Sequence, residues 1–228
     1  MSRLFDDGAT DRLYIDQAVA GRPIAMVCRF NINDTSIFHA LMGLGDKDTN
    51  DYFISMRAYP VGFAQKVSAT EWNNPTTGVA VTSSGYTVNI WHHACAIFVS
   101  ATDRRAFIDG ANKGTNATNV SAINLDRTNI GVESKSTPAN PVSGIIAEAA
   151  VYDLSQWPGA TDALKADGFE KILPSLADGF TPPHFPLGLI AYWPLIRGLN
   201  DKVGGYNLTA VGTAVSNHPR VILPHGVQ

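Results

Sequence analysis

Asp46, Asp48, Asn50 and Asp51 bring four oxygen-bearing side chains close together in sequence. That spacing resembles the ligand run of a calcium-binding turn. The segment has neither the glycine at the sixth position nor the acid at the twelfth that an EF-hand loop needs. Two roles therefore stay open for it, a calcium site at a loop rim or a solvated turn. Trp72, Asn73 and Asn74 form a second candidate. A sugar needs an aromatic face to stack on and amides for its hydroxyls, and a loop spanning Glu71 to Pro75 could offer both. Trp72 could equally plug one end of a sandwich or enter a subunit contact, where aromatics are enriched.

The other reactive residue types are not spaced for chemistry. His92 and His93 are adjacent, and adjacent strand residues point to opposite sides of a sheet, so they cannot share one ion. A structural role is expected for them, with one ring buried and hydrogen-bonded. Glu148 and Asp153 are spaced so that the pleat sends them to opposite faces. Glycoside hydrolysis needs two carboxyls facing each other across roughly 5–9 Å. No zinc-helix pattern, phosphate loop or nucleophile elbow occurs.

The elements that must position these residues are short strands. Trp91 to Phe98, Arg105 to Gly110, Asn129 to Gly131 and Gly144 to Ser155 are β-type runs ended by turn residues. Asp109-Gly110 predicts a two-residue type I′ hairpin, which needs positive φ at both positions. Ile24, Met26, Cys28, Phe30 and Ile32 alternate along one face of a strand. Leu4-Phe5 and Leu13 to Ile15 read as strands around the turn Asp6-Asp7-Gly8. Ile37 to Leu44, Tyr52 to Ala58, Phe63 to Val67 and Gly78 to Val81 follow. Gly159 to Leu173 predicts one amphipathic helix carrying Leu164 and Ile172 and stopping before Pro174. A Pro-rich connection then leads to a strand at Leu187 to Leu195 and an edge strand at Asn207 to Val211.

A chain of 228 residues with 45% hydrophobic content can bury a large core. Charged residues are only 16%, against about a quarter in typical domains. With 20 Gly and 13 Pro, this balance suits many short strands joined by tight turns. A net charge of −3 without clustered basic residues gives no nucleic-acid footprint. No run approaches the length of a membrane-spanning helix. Met1 to Asp7 holds no apolar signal region, so synthesis in a cytoplasm without a cleaved leader is expected. Cys28 and Cys95 are expected to be buried free thiols.

Taken in order, several signatures resemble the laminin-G-like branch of the concanavalin A-like lectin and glucanase superfamily. They are Leu4-Phe5-Asp6, Trp91-His92-His93, Phe107-Ile108-Asp109-Gly110, Ile130-Gly131 and the closing strand Gly144 to Asp153. The resemblance implies an all-β jelly-roll β-sandwich of two antiparallel sheets, here with one short helix and a C-terminal strand extension. Residues 1–228 then form a single domain. Within it, 1–156 are the core sandwich, 157–186 the helix and Pro-rich connection, and 187–228 a strand segment packed on the sandwich. The acids of the superfamily's glucanases have no counterpart in this chain. The arrangement is also similar to sandwich proteins of tailed bacteriophages. This likeness implies a non-catalytic virion surface protein that decorates a capsid or sits on the tail, made in the host cytoplasm. Its expected partners are major capsid or tail proteins, further copies of itself and host surface glycans. No cofactor beyond the candidate calcium is expected. A carbohydrate-binding, lectin-like module is the alternative, and a glycosidase using Glu133 or Glu148 a more distant one.

Overall fold

The computed structural model describes residues 2–6, 11–196 and 198–223. Asp7 and Gly8 of the expected first turn lie outside them. In chain order the strands are β1 (Ser2–Asp6), β2 (Arg12–Ile15), β3 (Ile24–Ile32), β4 (His39–Gly45) and β5 (Tyr52–Ala58). Next come β6 (Lys66–Asn73), β7 (Thr76–Gly85), β8 (His92–Ser100), β9 (Asp103–Ile108) and β10 (Ala111–Asn116). The last five are β11 (Arg127–Ile130), β12 (Ser143–Asp153), β13 (Leu189–Trp193), β14 (Thr209–Val211) and β15 (Ala214–Ser216). Two helices, α1 (Asp162–Glu170) and α2 (Leu173–Ala177), lie between β12 and β13. Among the described residues no helix is long and apolar enough to cross a membrane.

These strands form a jelly-roll sandwich of two antiparallel sheets. The eight-stranded sheet runs β10-β9-β8-β3-β12-β1-β15, with β13 also paired to β12. The seven-stranded sheet runs β14-β2-β11-β4-β5-β6-β7. The two strands expected around the first turn part company, since β1 joins one sheet and β2 the other. Asp109 and Gly110 have φ of 50° and 71°, so the β9–β10 hairpin turns as its sequence predicts. Gly131, with φ of 89°, leaves room for the Phe5 ring, which an added Cβ would meet at 2.2 Å.

Strand β3 shows how the sequence pattern becomes packing. Ile24, Met26, Cys28, Phe30 and Ile32 enter the core between the sheets, beside Phe5, Met42, Met56, Phe98 and Trp193. The opposite face of β3 is buried as well. Ala25 and Val27 join Cys95, Ile97, Tyr152, Phe169 and Leu173 in a second core, under the helices on the outside of the eight-stranded sheet. Cys28 and Cys95 are free and buried, and burial pushes both thiols up.

The helical segment departs from the single helix expected. Pro174 sits in the first turn of α2, where its missing N–H is no loss, so it starts a second helix. Leu164, expected on the buried face, is exposed, and Ala166 and Phe169 pack inward instead. Thr161 caps α1 by accepting from the Leu164 N–H.

Strand β12 is the seam. One edge pairs with β3, while the other is shared between β1 at Ser143 to Ile146 and β13 at Ala149 to Tyr152. A bulge between Ala147 and Ala150 separates these halves, with Glu148 at φ of 53°. Trp193 of β13 is fully buried, and its Nε1–H donates to the Tyr206 carbonyl at 2.7 Å. We expect Trp193→Ala to lower the unfolding free energy by about 3–5 kcal/mol in urea denaturation. A change under about 0.5 kcal/mol would show that the C-terminal segment rests on the sandwich without sharing its core.

Candidate functional site

One end of the sandwich gathers the β4–β5 turn, which holds Asp46, Asp48, Asn50 and Asp51, and the β6–β7 turn beside Trp72, Asn73 and Asn74. Trp72 is not in a loop as expected. It lies on β6, which runs on to Asn73 before the turn at Asn74 and Pro75. Register sets Trp72 opposite Phe53 on β5 and Thr77 on β7. The Trp72 and Phe53 rings stack with centroids 6.4 Å apart and planes 14° apart. Phe53 is buried, whereas Trp72 is half-buried and Thr77 exposed. The Arg57 guanidinium and Lys135 ammonium lie over the Phe53 ring at 5.1 and 5.8 Å. These cations are tied to Glu133, which pairs with Arg57 and, at 3.1 Å, with Lys135. Glu133 is buried and supports the aromatic platform.

The two amides differ. Asn73 is half-buried, and its Nδ2 donates to the Ser121 carbonyl at 2.7 Å. Asn74 is exposed and donates to Asp51 Oδ1 at 2.8 Å. Its backbone N–H also bonds the Asp51 carbonyl. The β4–β5 and β6–β7 turns are thereby joined, so the two candidate sites share one rim.

The four expected calcium ligands do not converge. Asp46 is buried and Oδ1 accepts from the Asp48 and Thr49 N–H groups, organising its own turn. Asn50 Oδ1 accepts from Ser136 Oγ and the Thr137 N–H. Asp51 is taken up by Asn74. Asp46 and Asp48 instead approach Asp126, with one oxygen of each within 4.8 Å of the others. Lys47 Nζ donates to Asp126 at 2.6 Å and to Asp48 at 2.9 Å. These bonds raise the Lys47 pKa. A calcium ion takes six to eight oxygens. To use this cluster it would have to displace an ammonium already shared by two carboxylates, so the residues fit an ion-paired turn better than a calcium cage. Asp126 is distant in sequence from the turn it completes, and no local motif marks it.

Beneath the rim, between the sheets, lie Glu71 and Arg104, both with 0% exposure. Arg104 Nη2 donates to Glu71 Oε2 at 3.2 Å and to the Ala101 carbonyl at 2.7 Å. Its Nη1 donates to the Thr118 carbonyl at 2.8 Å. Glu71 Oε1 accepts from the Ala122 N–H at 2.8 Å and pairs with Arg22. Gly78 makes room, since an added Cβ would meet Arg104 Nη1 at 2.1 Å.

At the other end of the sandwich, His92 and His93 point to opposite sides. His92 stacks near Phe30 of the inner core, bonds Asp109 at 2.7 Å through Nδ1 and accepts from the Thr87 N–H. His93 is the buried ring, but neither of its nitrogens has a protein partner among the described residues. The expectation of one ring both buried and hydrogen-bonded is thus divided between the two. Glu148 and Asp153 also have separate partners. Glu148 accepts from the Tyr192 hydroxyl at 2.6 Å and meets His218 at 2.8 Å. Asp153 accepts from the Ser155 N–H and from Gln156.

Two antiparallel sheets stacked face to face define the sandwich class of fold. The chain belongs to the concanavalin A-like lectin/glucanases superfamily, whose laminin-G-type profile matches residues 7–155. No curated protein matches it in sequence. Among solved structures it is similar to a putative carbohydrate binding protein from Bacteroides ovatus, at 14% identity and a TM-score of 0.58 over 96% of this chain and 60% of that one. A native heptameric SAP-like pentraxin from Limulus polyphemus has 15% identity and a TM-score of 0.53, over 72% of this chain and 79% of the other. The enzymatically active domain of bacteriophage CBA120 tailspike protein 2 has 11% identity and a TM-score of 0.53, over 84% of this chain and 29% of that one. At these identities the likenesses establish the fold.

The buried His93 carries a pH dependence. Burial pushes its imidazole down to about 3, with Arg29 adding to the effect and Asp109 opposing it. The unfolded chain takes up this proton near pH 6.5 and the folded one only near 3, so the contribution is complete above 6.5 and lost as pH falls towards 3. Calorimetry at pH 7 and 4.5 should show wild type losing about 2–3 kcal/mol more than His93→Leu over that interval. Parallel losses would place the acid sensitivity elsewhere.

Proposed function

We propose that this protein is a non-catalytic glycan-recognition sandwich. The observation that carries the reading is the half-exposed Trp72, held against Phe53 on rigid strands, with the exposed Asn74 amide and Thr77 hydroxyl beside it. A sugar ring has an apolar face and an edge of hydroxyls, and such a platform meets both. The acids that a glycosidase would recruit are otherwise employed, Glu133 by Arg57 and Lys135 and Glu148 by Tyr192 and His218. The fold shared with a putative carbohydrate binding protein along nearly the whole chain supports the same reading.

A second reading concerns where the protein is displayed. The fold shared with a bacteriophage tailspike domain favours a virion surface, with capsid or tail proteins as docking partners. The same sandwich fold occurs in a heptameric pentraxin, which supports display as a homo-oligomer. Repetition on a lattice would multiply weak single-site sugar contacts into useful avidity.

On a glycan array, wild type should bind a restricted set of sugars, and Trp72→Ala should weaken that binding at least about tenfold with its melting temperature retained. Silence of the wild-type protein across the array would refute recognition of glycans. Sedimentation with intact particles tests the virion reading separately, and absence from washed particles would end it.

A further inference from the structure

A cavity of about 330 Å³ opens at the same end of the sandwich. Gly21 and Arg22 line it from the β2–β3 connection, Asp153 and Ser155 from the end of β12, Ile190 from β13, and Tyr206 from the segment after it. Its volume is at the lower limit for small-molecule sites, about 300–1,000 Å³, which suits one ring rather than an extended chain. The half-buried Tyr206 ring and Ile190 supply apolar surface. Asp153 supplies a carboxylate oriented by the Ser155 N–H at 2.8 Å and by Gln156 Nε2 at 3.3 Å. These bonds leave lone pairs for further donors. The Ser155 hydroxyl oxygen accepts from Gln156, which frees its O–H to donate.

Charge narrows the ligand. The Arg22 guanidinium shares the buried Glu71 carboxylate with Arg104, which leaves one positive charge over in that group. Asp153 then adds a negative charge to the cavity. It offsets the surplus on the arginines, so an anionic sugar would find no net attraction, whereas adjacent neutral hydroxyls could donate to both carboxylate oxygens.

Position supplies the remaining argument. Arg22 Nη1 donates to Ser121 Oγ at 3.3 Å, and the carbonyl of the same Ser121 accepts from Asn73. A single exposed residue thus bridges the cavity wall and the strand carrying Trp72. We propose that the cavity receives the terminal neutral pyranose of a longer glycan, which continues over Ser121 towards Trp72. The inference rests on the glycan-recognition reading and adds to it a pocket, a ligand charge and a direction.

Two variants test it. Gly21 is exposed, and a Cβ there meets nothing within 4 Å, so Gly21→Trp can obstruct the cavity without disturbing the fold. Asp153→Asn keeps an acceptor for the Ser155 N–H while removing the charge. Titration calorimetry would use the best neutral oligosaccharide from the array and its sialylated counterpart. The expected result is at least a tenfold loss of affinity in both variants, with wild type preferring the neutral form. Wild-type affinity in Gly21→Trp, with binding still lost in Trp72→Ala, would overturn the pocket and leave the lectin reading intact. Preference for the sialylated form would overturn the neutral assignment. Failure of wild type to bind any array sugar would remove both proposals.

Discussion

Between the two sheets, at the rim, a carboxylate and a guanidinium meet with no exposure to water. Removing Glu71 and Arg104 from solvent costs several kcal/mol per ion, which their mutual attraction alone does not reliably offset. The surrounding hydrogen bonds make the arrangement tenable. Arg104 binds the carbonyls of Ala101 and Thr118, and Glu71 takes the Ala122 N–H and Arg22. These partners come from three separate connections, β2–β3, β8–β9 and β10–β11. These connections can therefore adopt few alternatives that do not strand a buried charge. A rim organised in this way is already ordered, which would limit the ordering cost of binding.

Local signals made much of the sandwich readable. The Asp109-Gly110 turn and the alternation in β3 each depend on a few neighbouring residues, and both recur in the structure. The second core was hidden because Ala25 and Val27 give no sign that a helical layer will cover them. Strand β6 was also obscured. Its outward residues Ser68 and Thr70 look like loop composition, yet both are buried, and Oγ and Oγ1 lie 3.1 Å apart. Trp72 could be singled out by its type, but its stacking on Phe53 follows from strand register, which no short motif encodes. Asp126 and Tyr206 escaped for a related reason, since long-range folding alone brings them to the rim.

The profile match ends at residue 155, whereas the packing continues well beyond it. Phe169, Leu173 and Leu176 cover the outer face of the eight-stranded sheet. Further on, β15 pairs with β1 and β14 with β2, so the last strands serve one sheet each. Both additions are only three residues long. Short terminal strands leave little open ladder on which another chain could grow. The C-terminal segment thus joins three tasks: completing the inner core through Trp193, occupying the second half of the β12 edge, and forming one wall of the rim cavity.

Cys28 and Cys95 occupy neighbouring strands, yet one faces the inner core and the other the outer. A disulfide needs its two Cβ atoms about 3.5–4.5 Å apart and directed towards each other, a geometry that the intervening sheet forbids. The thiols are back to back and out of contact with solvent. The fold consequently keeps the same covalent skeleton in reducing and in oxidising surroundings.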